Sequence, residues 1–207
     1  MKAGRTIVFV LIGLVAIGAG YGVVLVRRGF SARAEPSYIE TLLAAGARKL
    51  AVPSDYRDLR NPFPASTELV QAGMEHFADH CATCHANDGG GNTLFGRGLY
   101  PKPPDMRAAA TQNKTDGELY YTIENGVRLS GMPAFGGRSK TDDAETWHLI
   151  IFIRHLPKLT EQELLKMESL NPKTEAERQE EQQEKQFLRG ENPWTPGDSS
   201  PLKRRAP

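Results

Sequence analysis

The stretch Cys81-Ala82-Thr83-Cys84-His85 constrains this chain more than any other. Cysteines three positions apart sit about one helical turn apart, so both sulfurs can reach one edge of a flat macrocycle. The histidine that follows can then turn its ring toward the centre. A C-x-x-C-H run of this kind fastens a haem through two thioether bonds and coordinates its iron through the histidine. Two other readings compete with that one. A zinc site needs four ligands, and no second Cys/His pair at zinc-finger spacing exists in the chain. A thioredoxin-like dithiol calls for a βαβ pattern, whereas this neighbourhood reads as helical and rich in Gly and Pro. The motif therefore predicts one haem c, covalently held by Cys81 and Cys84, with His85 on the iron. Both cysteines of the chain lie in the motif. None is left for a structural disulfide, and stability must come from packing and from the apolar body of the haem.

Ahead of the motif, Ile7 to Val26 is an uncharged apolar run long enough to cross the hydrocarbon core of a bilayer as a helix. It reads as an uncleaved membrane anchor. A cleaved signal peptide competes, because Ala32-Arg33-Ala34 resembles a cleavage site. The run is longer than the usual apolar stretch of a signal peptide, however, and Arg27, Arg28 and Arg33 crowd the supposed cut. Between Ser37 and Leu50, the residues Ile39, Leu42, Leu43, Ala47 and Leu50 recur at helical spacing, predicting a short amphipathic helix. It could be a foot on the membrane or on a partner subunit, or a plain spacer. Pro53, Pro62 and Pro64 then suggest an extended, semi-rigid linker from Ala51 to Ala65. A net charge of +1 over 207 residues leaves no electrostatic footprint for nucleic acid.

Ser66 or Thr67 can cap a helix that carries Leu69, Gly73, Phe77 and Cys81 on one stripe and delivers the motif. His76 and His80 on that helix cannot easily reach the opposite haem face and read as solvated. A loop rich in Gly and Asn, from Asn87 to Gly98 and on to Asp105, would wrap the haem edge; Arg97 and Tyr100 in it are either propionate donors or ordinary loop residues. Thr115-Asp116-Gly117-Glu118 forms a capping box for a helix stopped by Asn125-Gly126. Asp142 can cap a final helix with two apolar stripes, Leu149, Phe152, Ile153 and Leu156 on one and Trp147, Ile150, Ile151 and Arg154 on the other. His148 and His155 share its more polar side, and Pro157 ends it. Thr160 and Glu163 form a second capping box for one more helix. Lys173 to Lys185 lacks an apolar stripe, and Arg189 to Pro207 reads as a disordered tail, with Trp194 and Lys203-Arg204-Arg205 as docking points.

Residues 66–157 resemble a class I bacterial cytochrome c domain. The resemblance rests on Gly73 and Phe77 before the motif, Pro103-Pro104-Asp105 after it, Gly131-Met132-Pro133-Ala134-Phe135, and a closing helix containing Trp147. It covers a little under half of the chain and implies an all-α fold, a small helical bundle wrapped around a covalent haem. It further implies that Gly73 and Phe77 lie where the first helix crosses the last, that Met132 is the sixth iron ligand opposite His85, and that the Pro104 carbonyl accepts a hydrogen bond from the second ring nitrogen of His85. Met106 competes with Met132 as a ligand but reads more simply as a residue packed on the haem. An iron held by histidine and methionine has no open position, so the implied role is one-electron transfer between proteins of an electron-transport chain. An open sixth position, as in a ligand sensor or a peroxidase-like enzyme, is the alternative, and a haem kept for assembly alone a third. Haem attachment of this type in bacteria occurs outside the cytoplasmic membrane, which places the haem domain on the periplasmic side of a single-pass anchor. The predicted organisation is thus an anchor at 1–28, an amphipathic segment and linker at 29–65, the haem domain at 66–157 and a polar tail at 158–207.

Overall fold

A computed structural model describes residues 2–29, 31–137 and 140–190. Among these residues every regular element is a helix or helical turn. The first, α1, runs Lys2–Arg28 and is long and apolar enough to span a membrane; its Gly4–Arg27 stretch is not buried against the rest of the protein. The predicted amphipathic helix follows as α2, Tyr38–Ala51, with the Ser37 hydroxyl accepting from the Glu40 N–H at its start.

The segment expected to be an extended linker is instead fastened to the haem domain. A short helix, α3 (Ser54–Arg57), sits inside it and packs on a later one. Tyr56 stacks on Tyr120 and meets Tyr121 edge-on, with ring centroids 6.3 and 5.0 Å apart. Val52 is buried, and the Asn61 side chain donates to the Trp147 carbonyl at 2.8 Å. Proline count suggested stiffness, but three aromatic rings and a buried valine make contacts that prolines neither require nor prevent.

The haem domain begins with α4, Thr67–His76, capped by Ser66 as the sequence predicts. It runs without a break into a π-helical turn, Phe77–Cys81, and then into α5, Ala82–His85. Two one-turn helices follow, α6 (Leu94–Arg97) and α7 (Ala109–Gln112). Helix α8, Asp116–Asn125, has the expected capping box between Thr115 and Glu118 and stops at Gly126, whose φ of 65° suits glycine. Helix α9, Lys140–His155, starts two residues before the Asp142 cap that the sequence suggested, so Asp142 lies within the helix; its side chain is outside the described residues.

Helices α4 and α9 cross in close contact, and the core lies around that crossing. Phe77 and Phe152 are fully buried, with ring centroids 5.2 Å apart, and Leu149, Ile150 and Leu156 are equally enclosed. A β-carbon on Gly73 would fall on the His148 carbonyl oxygen, 2.8 Å from the carbonyl carbon and 2.9 Å from Phe152 Cβ. Glycine is what lets the two backbones meet. Tyr120 of α8 stacks on Trp147 at 4.4 Å and donates to the Asp143 carboxylate, tying α8 to α9.

The chain does not leave the domain at Pro157. A 3₁₀ turn, Leu156–Lys158, leads into α10, Glu161–Leu170, which has the predicted Thr160/Glu163 capping box and packs on α4 and the π turn. Met167 in α10 has no exposed surface. The boundary expected at residue 157 leaves out a helix whose Met167 is buried and whose Leu170, with Leu159 ahead of it, packs on the same core. Helix α11, Glu175–Leu188, buries nothing and is a solvated helix with its own Thr174/Glu177 capping box. Trp194 and the Lys203-Arg204-Arg205 cluster lie outside the described residues.

Candidate functional site

The motif sits where the core helix changes pitch. The Ala82 N–H reaches back five residues to the Phe77 carbonyl, and this π turn separates Gly73 and Phe77, which face α9, from Cys81, Cys84 and His85. Immediately after His85 the helix breaks at Ala86, whose φ of 62° and ψ of 158° are a conformation glycine adopts easily and alanine does not. The chain then curls back over the carbonyls that a helix end leaves unpaired. Gly91 N–H donates to the His85 carbonyl at 2.7 Å, and the Thr93 hydroxyl donates to the Cys84 carbonyl at 3.3 Å. A second clamp comes from the end of α10. With its amide oriented so that the nitrogen donates, Asn171 bonds the Ala78 carbonyl in the π turn at 3.1 Å and the Asn87 side chain at 2.9 Å.

His85 is buried, 8% exposed, and its Nδ1 finds no hydrogen-bond partner. Burial pushes the ring's pKa down to about 4, so the imidazole is neutral at ordinary pH and keeps a lone pair for a metal. Cys81 is likewise held as a thiol, its pKa pushed up to about 12 by burial and then by the neighbouring Cys84. Neither cysteine is in a disulfide. A buried neutral histidine next to two free thiols is the donor set that a covalently attached haem requires. The residues present fit that group.

The expected hydrogen bond from the His85 Nδ1 to the Pro104 carbonyl does not form. Pro104 lies exposed on its loop, and the carbonyl turned inward is that of Pro103, so close to Gly91 that a β-carbon there would stand 2.8 Å from it. The loop is fixed further on, where Met106 N–H donates to the Gly89 carbonyl at 2.8 Å and Gln112 Nε2 bonds the Met106 and Ile153 carbonyls together.

Met132 and Met106 are both half-buried and pack on the core that also receives Cys81. The Met132 loop folds back on the end of α8. Val127 N–H donates to the Met132 carbonyl at 3.1 Å, Met132 N–H to the Ser130 hydroxyl at 3.2 Å, and Phe135 N–H to the Ile123 carbonyl at 3.0 Å. Gly126 and Gly131 allow this, since side chains there would strike Pro133 and Leu99 respectively.

Other polar residues are committed elsewhere. Arg97 bonds Asn92, and the Tyr100 hydroxyl donates to Glu40 of α2. His80 is exposed as expected, but His76 is half-buried with its pKa lowered, by burial first and then by His80, and lies 3.5 Å from Glu145. His155 is bonded to Glu163 of α10 at 2.8 Å, and His148 meets Phe63 edge-on. Arg154, which sits on an apolar stripe in the sequence, clamps the entry to α8. It bonds Asp116 at 2.8 Å and the Gln112 and Lys114 carbonyls. A lone arginine among Ile151, Ile150 and Trp147 was the signal that it would be paired.

An all-helical domain closed by the α4/α9 crossing, with a C-x-x-C-H motif on the crossing helix and a neutral buried histidine, is a c-type cytochrome domain. Comparison with known proteins agrees. Residues 68–153 match the family described as cytochrome c oxidase, cbb3-type, subunit III. One similar curated protein is the Cbb3-type cytochrome c oxidase subunit FixP of Azorhizobium caulinodans, 36% identical over 95 residues that cover 41% of this chain and 27% of FixP. The chain thus spans about a quarter of the length of the curated relative it matches.

Proposed function

We propose that this protein is a membrane-anchored monohaem c-type cytochrome that passes single electrons between respiratory-chain proteins, either as a free carrier or as a subunit of a larger oxidoreductase complex. The observation that carries the proposal is the buried, neutral His85 directly after two free thiols. The similarity of residues 68–153 to subunits of cbb3-type oxidases supports a respiratory oxidase as the partner class. One haem is proposed because both cysteines of the chain belong to one motif. When bound, the haem supplies a ferric/ferrous couple that exchanges one electron.

The protein's own residues have three tasks. Cys81 and Cys84 would hold the haem covalently, and His85 and Met132 would ligate its iron. Burial keeps water away from the histidine. The loop hydrogen bonds at Ser130, Val127 and Ile123 hold Met132 in place whichever redox state is present, so little rearrangement accompanies electron exchange. Helix α1 restricts the domain to the membrane surface, on the outer side of the cytoplasmic membrane and with a single span.

The test is a stopped-flow experiment on haem-loaded protein. Reduced protein should be reoxidised rapidly by oxygen only when solubilised terminal oxidase from the same membranes is added, and it should not turn over hydrogen peroxide. Peroxide turnover without a partner would replace the carrier reading with the enzyme one. Protease added to spheroplasts should remove the haem domain; protection would place it inside.

A further inference from the structure

Helix α2 has an apolar face that nothing among the described residues covers. Ile39, Leu42, Leu43 and Leu50 are 68, 60, 67 and 81% exposed, and no residue of the helix is buried. At 100° per residue these four fall on one face, with Thr41 and Arg48 opposite. The flank between these faces meets the haem domain: Glu40 accepts from the Tyr100 hydroxyl, Ala44 is half-buried, and Glu35 just ahead of the helix pairs with Lys102.

Two facts say what covers the apolar face. The first is reach. Only residues 29–37 separate the end of α1 from the start of α2. Nine residues span at most roughly 30 Å when fully extended, and here part of the stretch is a turn closed by Ala34 N–H on the Ser31 carbonyl. If α1 crosses a bilayer, the start of α2 stays within roughly 30 Å of its surface. The second is charge. Between residues 27 and 51 the chain carries Arg27, Arg28, Arg33, Arg48 and Lys49 against Glu35 and Glu40, and both acids are engaged by the haem domain. The balance of this stretch is basic and suits anionic headgroups.

We propose that α2 lies in the headgroup layer with Ile39, Leu42, Leu43 and Leu50 turned into the upper acyl region. Through Glu35 and Glu40 it then holds the Tyr100–Lys102 loop, and with it the haem domain, in a fixed attitude over the membrane. The occupant is lipid, not a second protein. This rests on the reading of α1 as a membrane anchor and adds a second, interfacial attachment.

The experiment uses the full haem-loaded chain in vesicles of phosphatidylcholine and phosphatidylglycerol, in which the acyl chains carry bromine either near the headgroup or near the chain end. Tryptophan emission is compared for the unsubstituted chain, Leu43→Trp and Thr41→Trp. The added emission of Leu43→Trp should fall by about half with shallow bromine and less with deep bromine, as for an interfacial helix, while that of Thr41→Trp should be nearly unaffected. Intact haem absorbance in each variant verifies folding. Equal responses from positions 43 and 41 would overturn the proposal, as would an unquenched Leu43→Trp whose emission shifts with protein-to-lipid ratio, the mark of a second copy covering the face. Protein that fails to float with the vesicles at all would instead refute the anchor.

Discussion

Replacing Gly73 with alanine should destabilise the haem domain, although helix propensity alone argues for the opposite. Alanine is favoured over glycine in a helix interior by about 1 kcal/mol. At this position the new methyl would stand on the His148 carbonyl oxygen, 2.8 Å from its carbon and 2.9 Å from Phe152 Cβ. Two of those three atoms are backbone, so no side chain can swing away. Helices α4 and α9 must part by on the order of 1 Å, and a gap of that size forfeits a quarter to a half of each dispersion contact across it. The contacts at stake include those of Phe77, Phe152 and Leu149, all fully buried. Overpacking of this kind costs about 1–3 kcal/mol after relaxation. A loss of about 2 kcal/mol changes the folded-to-unfolded ratio roughly thirty-fold and lowers the Tm of a domain this size by about 8–16 °C. The assay is guanidinium and thermal unfolding of haem-loaded protein in detergent, followed by helical circular dichroism. An unchanged or higher midpoint for Gly73→Ala would show that the helices do not meet as closely as described.

Met167→Ala should cost about 2–4 kcal/mol in the same assay, as expected for emptying a closed site, and truncation after Lys158 should lower the midpoint at least as much; no change would return α10 to the tail. Ala86→Gly should raise the midpoint by about 1 kcal/mol, because the strain of φ 62° is relieved at a smaller cost in chain entropy; a lower midpoint would refute that strain. Burial works to raise the Glu163 pKa, but hydrogen bonds from the Thr160 N–H and hydroxyl and from His155 outweigh it and hold the carboxyl below its ordinary value. A depressed folded-state pKa stabilises above the unfolded-state value, about 4.3, and the gain disappears as pH falls through the folded value. Glu163→Gln should therefore flatten the acid side of a urea-midpoint profile, and parallel profiles would contradict the contact.

Much of the haem domain was legible from local chemistry. Capping residues at Ser66, Thr115 and Thr160 marked three helix starts, because a hydroxyl three positions ahead of an N–H leaves the same signature in sequence and structure. The crossing at Gly73 and Phe77 was implied by the resemblance to class I cytochromes c, and the structure has it. What stayed hidden depends on partners distant in sequence. Tyr56 and Asn61 read as linker because Tyr120 and Trp147, which hold them, lie far along the chain. Met167 read as part of a polar helix because its neighbours in α4 and the π turn cannot be found by periodicity. The expected hydrogen bond from His85 to the Pro104 carbonyl depends on loop rotation, which leaves no mark in residue type. The π turn itself had no sequence signal.

The central claim is that one iron is held between His85 and Met132, and a pair of ferrous variants tests it most directly. Met132→Ala should keep its covalent haem, since attachment depends on Cys81 and Cys84, yet bind carbon monoxide rapidly and show a lowered potential, because the thioether ligand is gone. Met106→Leu replaces one apolar group by another of similar volume and should resist carbon monoxide like the unsubstituted protein. If Met106→Leu opens the iron and Met132→Ala does not, Met106 is the ligand; if the unsubstituted protein already binds carbon monoxide rapidly, the sixth position is open and the carrier account is wrong.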